Sequence, residues 1–244
     1  MKHFPNRISI VLAAVILCTA TYCSDKGSGA VVIDPPVART NDIDMWLTKG
    51  DQSILLKKQT QPISFVDTTN SYGVIDVDTT RTFQQVDGFG YTLTGGSATL
   101  INSMGSAKSA LLQELFGLGE NAISVNYLRI SIGASDLSDK VFSYDDLPAG
   151  QTDPELEKFS LSWDTVDLVP VLKEILAINP AIKIMASPWS PPVWMKDNNN
   201  SIGGSLLPQY YGVYAKYFVK YIQAMQSKGI AIEAVTIQNE PQHG

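Results

Sequence analysis

From Asp87 onward the chain alternates apolar, strand-like runs with amphipathic helical stretches, and this rhythm constrains the fold more than any other feature. Residues 88–93, 124–131, 181–187 and 232–238 read as four strands. Their near-continuous apolar character suits strands buried on both faces. Helical stretches run through Leu112 to Phe116. A further helix spans 168–178, with Leu168, Val169, Leu172, Ile175 and Leu176 on one face and Pro180 just beyond its end. A last helix covers about 208–227, with Tyr214, Tyr217, Phe218, Tyr221, Ile222 and Met225 at helical spacing and Gly229 as its stop. Strands that alternate with helices predict an α/β fold, a parallel sheet covered by helices. A closed eight-stranded barrel takes about 250 residues, so residues 87–244 supply the N-terminal half of a (β/α)8 TIM barrel.

The residues before Asp87 divide differently. Lys2 and Arg7 precede an apolar stretch from Ile8 to Ala20, the layout of an export leader over 1–22. Cys23, followed by Ser24 and Asp25, is the expected lipidation point of an exported lipoprotein, with plain secretion as the alternative. The body would then lie in the periplasm, at the cell surface on a lipid anchor, or outside the cell. Residues 23–50 read as a linker. Short runs within 51–86 (63–66, 73–78 and 82–86) are separated by turn residues, as in a small antiparallel sheet.

Composition removes several classes of chemistry. The chain holds two cysteines and two histidines, and Cys18, Cys23 and His3 all fall in or at the edge of the leader. His243 alone is left to serve a Ser-His-Asp triad, and neither a thiolate nor a His-rich metal site can be built. A net charge of −6 argues against nucleic acid as a partner. Gly88-Phe89-Gly90 and Gly203-Gly204 lack the spacing and the Lys-Ser/Thr pair of a phosphate loop. What remains is carboxylates, amides and aromatics, which need no metal and no cofactor.

Functional groups of such barrels gather at the carboxyl ends of the strands. Those ends deliver Asp136, Trp189, Asn239 and Glu240 to one mouth. Each has an ordinary alternative. Trp189 could cover the rim, Asp136 could cap a turn, and Asn239 could bond the loop backbone. Glu240 stands apart, because an acid that ends an apolar strand gives up burial. Together an indole plane, a hydroxyl acceptor, an amide and a proton donor suit a sugar, whose apolar face stacks while its hydroxyls need fixed polar partners.

Asp87-Gly88-Phe89-Gly90, Leu128-Arg129-Ile130 with Asp136, the run from Ala186-Ser187-Pro188-Trp189 to Lys196, and Thr236-Ile237-Gln238-Asn239-Glu240-Pro241 together resemble glycoside hydrolase family 30. Glucosylceramidases and endo-β-1,6-glucanases belong to that family. The resemblance covers about 83–244. It implies a (β/α)8 barrel with a side β-domain, to which 51–86 contribute strands, and a retaining hydrolase of β-glucans or β-glucosides. It also implies that Glu240 is the general acid/base, that Asn239 contacts the hydroxyl beside the anomeric carbon, and that Asp136 and Trp189 shape the sugar subsite. Arg129 is implied to support the carboxylates. The family's nucleophile is a glutamate on the seventh strand, so the expectation is an inactive fragment without that nucleophile. The alternative from another class is a non-catalytic, surface glycan-binding lipoprotein.

Overall fold

The computed structural model describes residues 42–120 and 122–242. The leader, Cys18, Cys23, most of the linker and His243 lie outside the described residues. The chain divides into two compact units. Among the described residues the smaller holds 42–45 and 60–68. There the Asp42 and Ile43 amides both donate to the Ile63 carbonyl, at 3.0 and 3.2 Å, and the Phe65 amide donates to Asp42 Oδ2 at 3.1 Å.

The larger unit holds both sheets. A two-stranded antiparallel ladder pairs β1 (Trp46–Leu47) with β2 (Lys57–Lys58), and Lys58 Nζ lies 5.4 Å from the Trp46 ring centroid. Strand β1 thus falls inside the stretch expected to be linker. The three strand-like runs at 63–66, 73–78 and 82–86 form no strand. Phe65, Val74, Ile75, Val77 and Phe83 are each more than three-quarters exposed. Alternating apolar residues encode a strand only if a neighbour covers one face, and no described strand covers these.

The parallel sheet runs in order β3 (Gly90–Leu93), β4 (Tyr127–Ile132), β5 (Lys183–Pro188), β6 (Ala234–Val235). Its register aligns Leu93 with Ile130, Ile130 with Ala186, and Ala186 with Val235. All four strands lie where the apolar runs predict them. Strand β6 is the shortest of the four, with two residues paired to β5. Beyond its ladder residues, 233–238 alternate between exposed and half-buried, with Glu233, Val235 and Ile237 on the exposed side.

Helices cover the sheet as expected. Helix α1 (Gly95–Ser103) starts at Thr94, whose Oγ1 accepts the Ser97 amide at 3.1 Å. Gly105, at φ +56°, separates it from α2 (Lys108–Phe116). Helix α3 (Leu168–Ile178) has the predicted bounds and buries Leu168, Val169, Val171, Leu172 and Ile175. Pro208–Tyr210 form a 3-10 turn that leads into α4 (Tyr211–Ser227), which buries Tyr214, Tyr217, Tyr221 and Met225. Gly229, at φ +82°, follows its end.

The connection from β4 to α3, residues 133–167, is long and has no helix or strand, yet it is firmly anchored. The Ala134 amide donates to the Phe142 carbonyl at 3.0 Å, and the Tyr144 amide donates to Tyr217 Oη at 3.0 Å. The Tyr144 ring stacks on Tyr221 (5.6 Å between centroids, 7° between planes) and on Tyr217 (6.1 Å, 21°). Its hydroxyl donates to Asp164. Lys220 Nζ on α4 donates to the Leu156 carbonyl at 2.6 Å. Aromatic stacking and charge-assisted bonds here replace the regular structure that the loop lacks.

Candidate active site

At the carboxyl ends of the four parallel strands lies a cavity of about 200 Å³, lined by Thr92, Thr94, Arg129, Ser131, Ser135, Asp136, Leu137, Ser187, Trp189 and Asn239. Each strand delivers its share by the same rule. Side chains two residues apart share a face of a strand, so Thr92 and Thr94, Arg129 and Ser131, and Ser187 and Trp189 each arrive as a pair. The hydroxyl groups in this list are absent from the sequence expectation. The signal that could have found them is that spacing of two at the end of each apolar run.

Four of the five expected site residues meet here: Arg129, Asp136, Trp189 and Asn239. Glu240 does not line the cavity. It directly follows Asn239, is solvent-exposed, and sits at φ +45°. That left-handed backbone is uncommon for a residue with a side chain and carries a cost of about 1–3 kcal/mol. The chain turns sharply at Glu240, five residues beyond the end of β6.

Asn239 is fixed from two sides. Arg129 Nη2 donates to Asn239 Oδ1 at 2.7 Å, and the Asn239 backbone N–H donates to the Pro188 carbonyl at 2.9 Å. Arg129 Nη1 also reaches Thr92 Oγ1, at 3.5 Å. Because the guanidinium can only donate, it takes the carbonyl oxygen of the amide and leaves Asn239 Nδ2 as the donor for a ligand. Among the described residues the Arg129 hydrogen bonds go to an amide oxygen and a hydroxyl. Two further cross-strand bonds tie the tips together. Thr236 Oγ1 donates to Ser187 Oγ at 2.6 Å, and Gln238 Nε2 donates to the Trp189 carbonyl at 2.7 Å.

Asp136 is exposed, on a turn in which the Ser135 amide donates to Ser138 Oγ at 3.1 Å. It is the one carboxylate among the described residues that line the cavity. The strongly perturbed acids lie elsewhere. Asp145, 1% exposed, has no hydrogen-bond partner on either side-chain oxygen. Its carboxyl is pushed up to about 7, chiefly by burial and then by the charges of Asp153 and Asp146, against an opposing pull from Lys220. Asp164 also rises to about 7 through burial, which the Tyr144 hydrogen bond partly offsets. Both sit behind the site, in the tyrosine-clamped loop. Trp194 Nε1 donates to the Asp145 carbonyl at 2.9 Å, so this loop is bonded to the segment that follows Trp189. Among the described residues, no cluster of His, Cys, Asp and Glu is placed to hold a metal ion.

Comparison with known proteins places these motifs in context. The model described as "Glycosyl hydrolase family 30 TIM-barrel domain" matches residues 86–244. An endo-1,6-beta-D-glucanase of Neurospora crassa is 35% identical over 206 residues, which is 80% of this chain and 42% of that protein. The lysosomal acid glucosylceramidase of Mus musculus is 33% identical over 171 residues, 67% of this chain and 32% of that protein. Among solved structures, the endo-beta1,6-glucanase BT3312 superposes with a TM-score of 0.67 at 35% identity, over 82% of this chain and 43% of that one. SrfJ from Salmonella typhimurium gives 0.65 at 31% identity, over 78% and 42%. The chain spans less than half the length of each of these proteins.

Proposed function

Because the chain belongs to glycosyl hydrolase family 30, we propose that the cavity is the glucosyl subsite of a retaining β-glucoside hydrolase. The observation that carries this reading is the convergence of Arg129, Asp136, Trp189 and Asn239 on one cavity from three strands. The Trp189 indole supplies the plane against which a pyranose ring stacks, and Asp136 accepts hydrogen bonds from sugar hydroxyls. Asn239, with its oxygen held by Arg129, donates to the hydroxyl next to the anomeric carbon.

Glu240 is the acid/base in this reading. It gives its proton to the glycosidic oxygen as the bond to the anomeric carbon breaks, while a second carboxylate attacks that carbon. The Glu240 carboxylate then takes a proton from the water that releases the sugar. Retention requires the two carboxyl groups about 5–5.5 Å apart, and the second comes from outside the described residues. The linkage we favour is β-1,6 between glucosyl units, since relatives named endo-1,6-beta-D-glucanase match along this chain. Export belongs to the same proposal, with 1–22 as the leader and Cys23 as a lipid anchor.

The test is the hydrolysis of β-1,6-glucan and of an activated aryl β-glucoside by a full-length version that also carries the second carboxylate, as wild type and as Glu240→Gln. Loss of an acid catalyst typically costs 10²–10⁴-fold. In kcat/KM, which reports the first step, we expect a loss in that range on the glucan and a much smaller one on the aryl glucoside, whose leaving group needs no proton. Equal losses on both substrates would refute the acid role. Glucoside affinity without turnover, unchanged by Glu240→Gln but lost in Trp189→Ala, would favour the glycan-binding alternative.

A further inference from the structure

Gln238 is assigned no role by the reading above, yet its side chain bonds directly to the backbone of Trp189. The reason lies in how β5 ends. Residues 188, 191 and 192 are prolines, so the tip loop from Pro188 to Pro192 has amide hydrogens only on Trp189 and Ser190. The loop can therefore be tied to β6 mainly through its carbonyls. Strand β6 bonds to β5 out of step. Glu233, Thr236 and Asn239 amides donate to the carbonyls of Ile184, Ala186 and Pro188, so the donors advance by three while the acceptors advance by two. The Trp189 carbonyl lies outside this series of alternate acceptors, so the ladder does not engage it. The half-buried Gln238 side chain spans the gap, donating from Nε2 at 2.7 Å.

We propose that Gln238 is a positioning residue: it sets the plane of the Trp189 indole by holding the Trp189 carbonyl. This rests on the reading of the cavity as a glucosyl site. A stacking platform acts through placement, and its backbone needs a partner that keeps it within a fraction of an ångström. The bond requires a donor at position 238. A carboxylate there cannot donate to a carbonyl, whereas a carboxylic acid can. Gln238→Glu therefore makes the position of Trp189 dependent on pH, while the wild-type amide does not titrate.

The experiment has two arms. In the ligand-free arm, acrylamide quenching of Trp189 emission is obtained by subtracting a Trp189→Phe counterpart from each protein. Gln238→Leu should raise quenching at every pH, and Gln238→Glu should match wild type near pH 4 and match Gln238→Leu near pH 8. In the ligand arm, affinity for a β-1,6-linked glucose disaccharide is measured on the same proteins. The ratio of Gln238→Glu to wild type should fall about five-fold from pH 4 to pH 8, the size of one hydrogen bond. Thermal denaturation of Gln238→Glu at both pH values separates this result from a loss of fold caused by the new charge at pH 8. A pH-independent ratio, together with unchanged Trp189 quenching in Gln238→Leu, overturns the proposal. Quenching that follows pH in a protein that binds no glucoside at any pH would support the positioning role and overturn the glucosyl-site reading.

Discussion

Strands β5 and β6 are neighbours in one sheet, and both carry walls of the cavity, but only β5 has a strand on each side. Strand β5 pairs over six residues, and Ile184, Ala186, Ser187 and Pro188 are buried. Strand β6 has an equally apolar sequence around it, from Ile232 to Ile237, yet its ladder is two residues long. Ile237 is 84% exposed. The difference teaches that an apolar run alone does not set the length of a strand. Side chains add to the alignment of β6 on β5, through Thr236 to Ser187 and Gln238 to Trp189.

The largest effect that tests this contrast is Ile184→Ala in β5. Ile184 is 1% exposed within the core, and truncating such a residue costs about 2–5 kcal/mol. Chemical denaturation should show the midpoint fall accordingly. An intermediate effect is expected behind β5, in the loop that Trp194 bonds to. Asp145 and Asp164 have carboxyls raised to about 7, so between pH 4 and 7 the folded state holds more protons than the unfolded chain. Stability should therefore decline as pH rises through that window and level off above it. Asp145→Asn removes one of the two titrations. Thermal denaturation across pH 4–8 should show a shallower decline for this variant, with a gain on the order of 1–3 kcal/mol at pH 8. A slope identical to wild type would remove Asp145 as a cause. The smallest effect is Ile237→Thr on the exposed side of β6, expected within about 0.5 kcal/mol. A cost matching that of Ile184→Ala would break the comparison, because it would mean that this side of β6 is covered in solution.

How much of this was legible in the sequence depended on how local its cause was. Helix α3 has its predicted bounds because Leu168 to Ile178 carry their own periodicity and Pro180 follows at once. Gly229 marks the end of α4 for a reason internal to the backbone, its φ of +82°. The cavity's main members were also legible, since a parallel sheet brings every strand's carboxyl end to one side. The runs at 63–66, 73–78 and 82–86 misled because their outcome depends on a partner that local pattern cannot supply. The bond between Arg129 and Asn239 joins residues 110 apart in sequence, and no spacing rule reveals that the guanidinium takes an amide. Glu240 was readable as the residue that ends a strand. Its left-handed backbone and its exposure follow from a turn of which Pro241 gives only a hint.

The tyrosine-clamped connection from Phe142 to Asp164 has a consequence for recognition. A segment of this length without regular structure would ordinarily be a mobile cover, and a ligand would then bear the entropy of ordering it. Here Tyr144, Tyr217 and Tyr221 form a stack that ties it to α4, and the Ala134–Phe142 bond carries that anchorage to the residue before Ser135. The rim around Asp136 is therefore preorganised. If the cavity takes a sugar as proposed, this part of its wall is already in place when the ligand arrives, and its ordering adds no cost to binding.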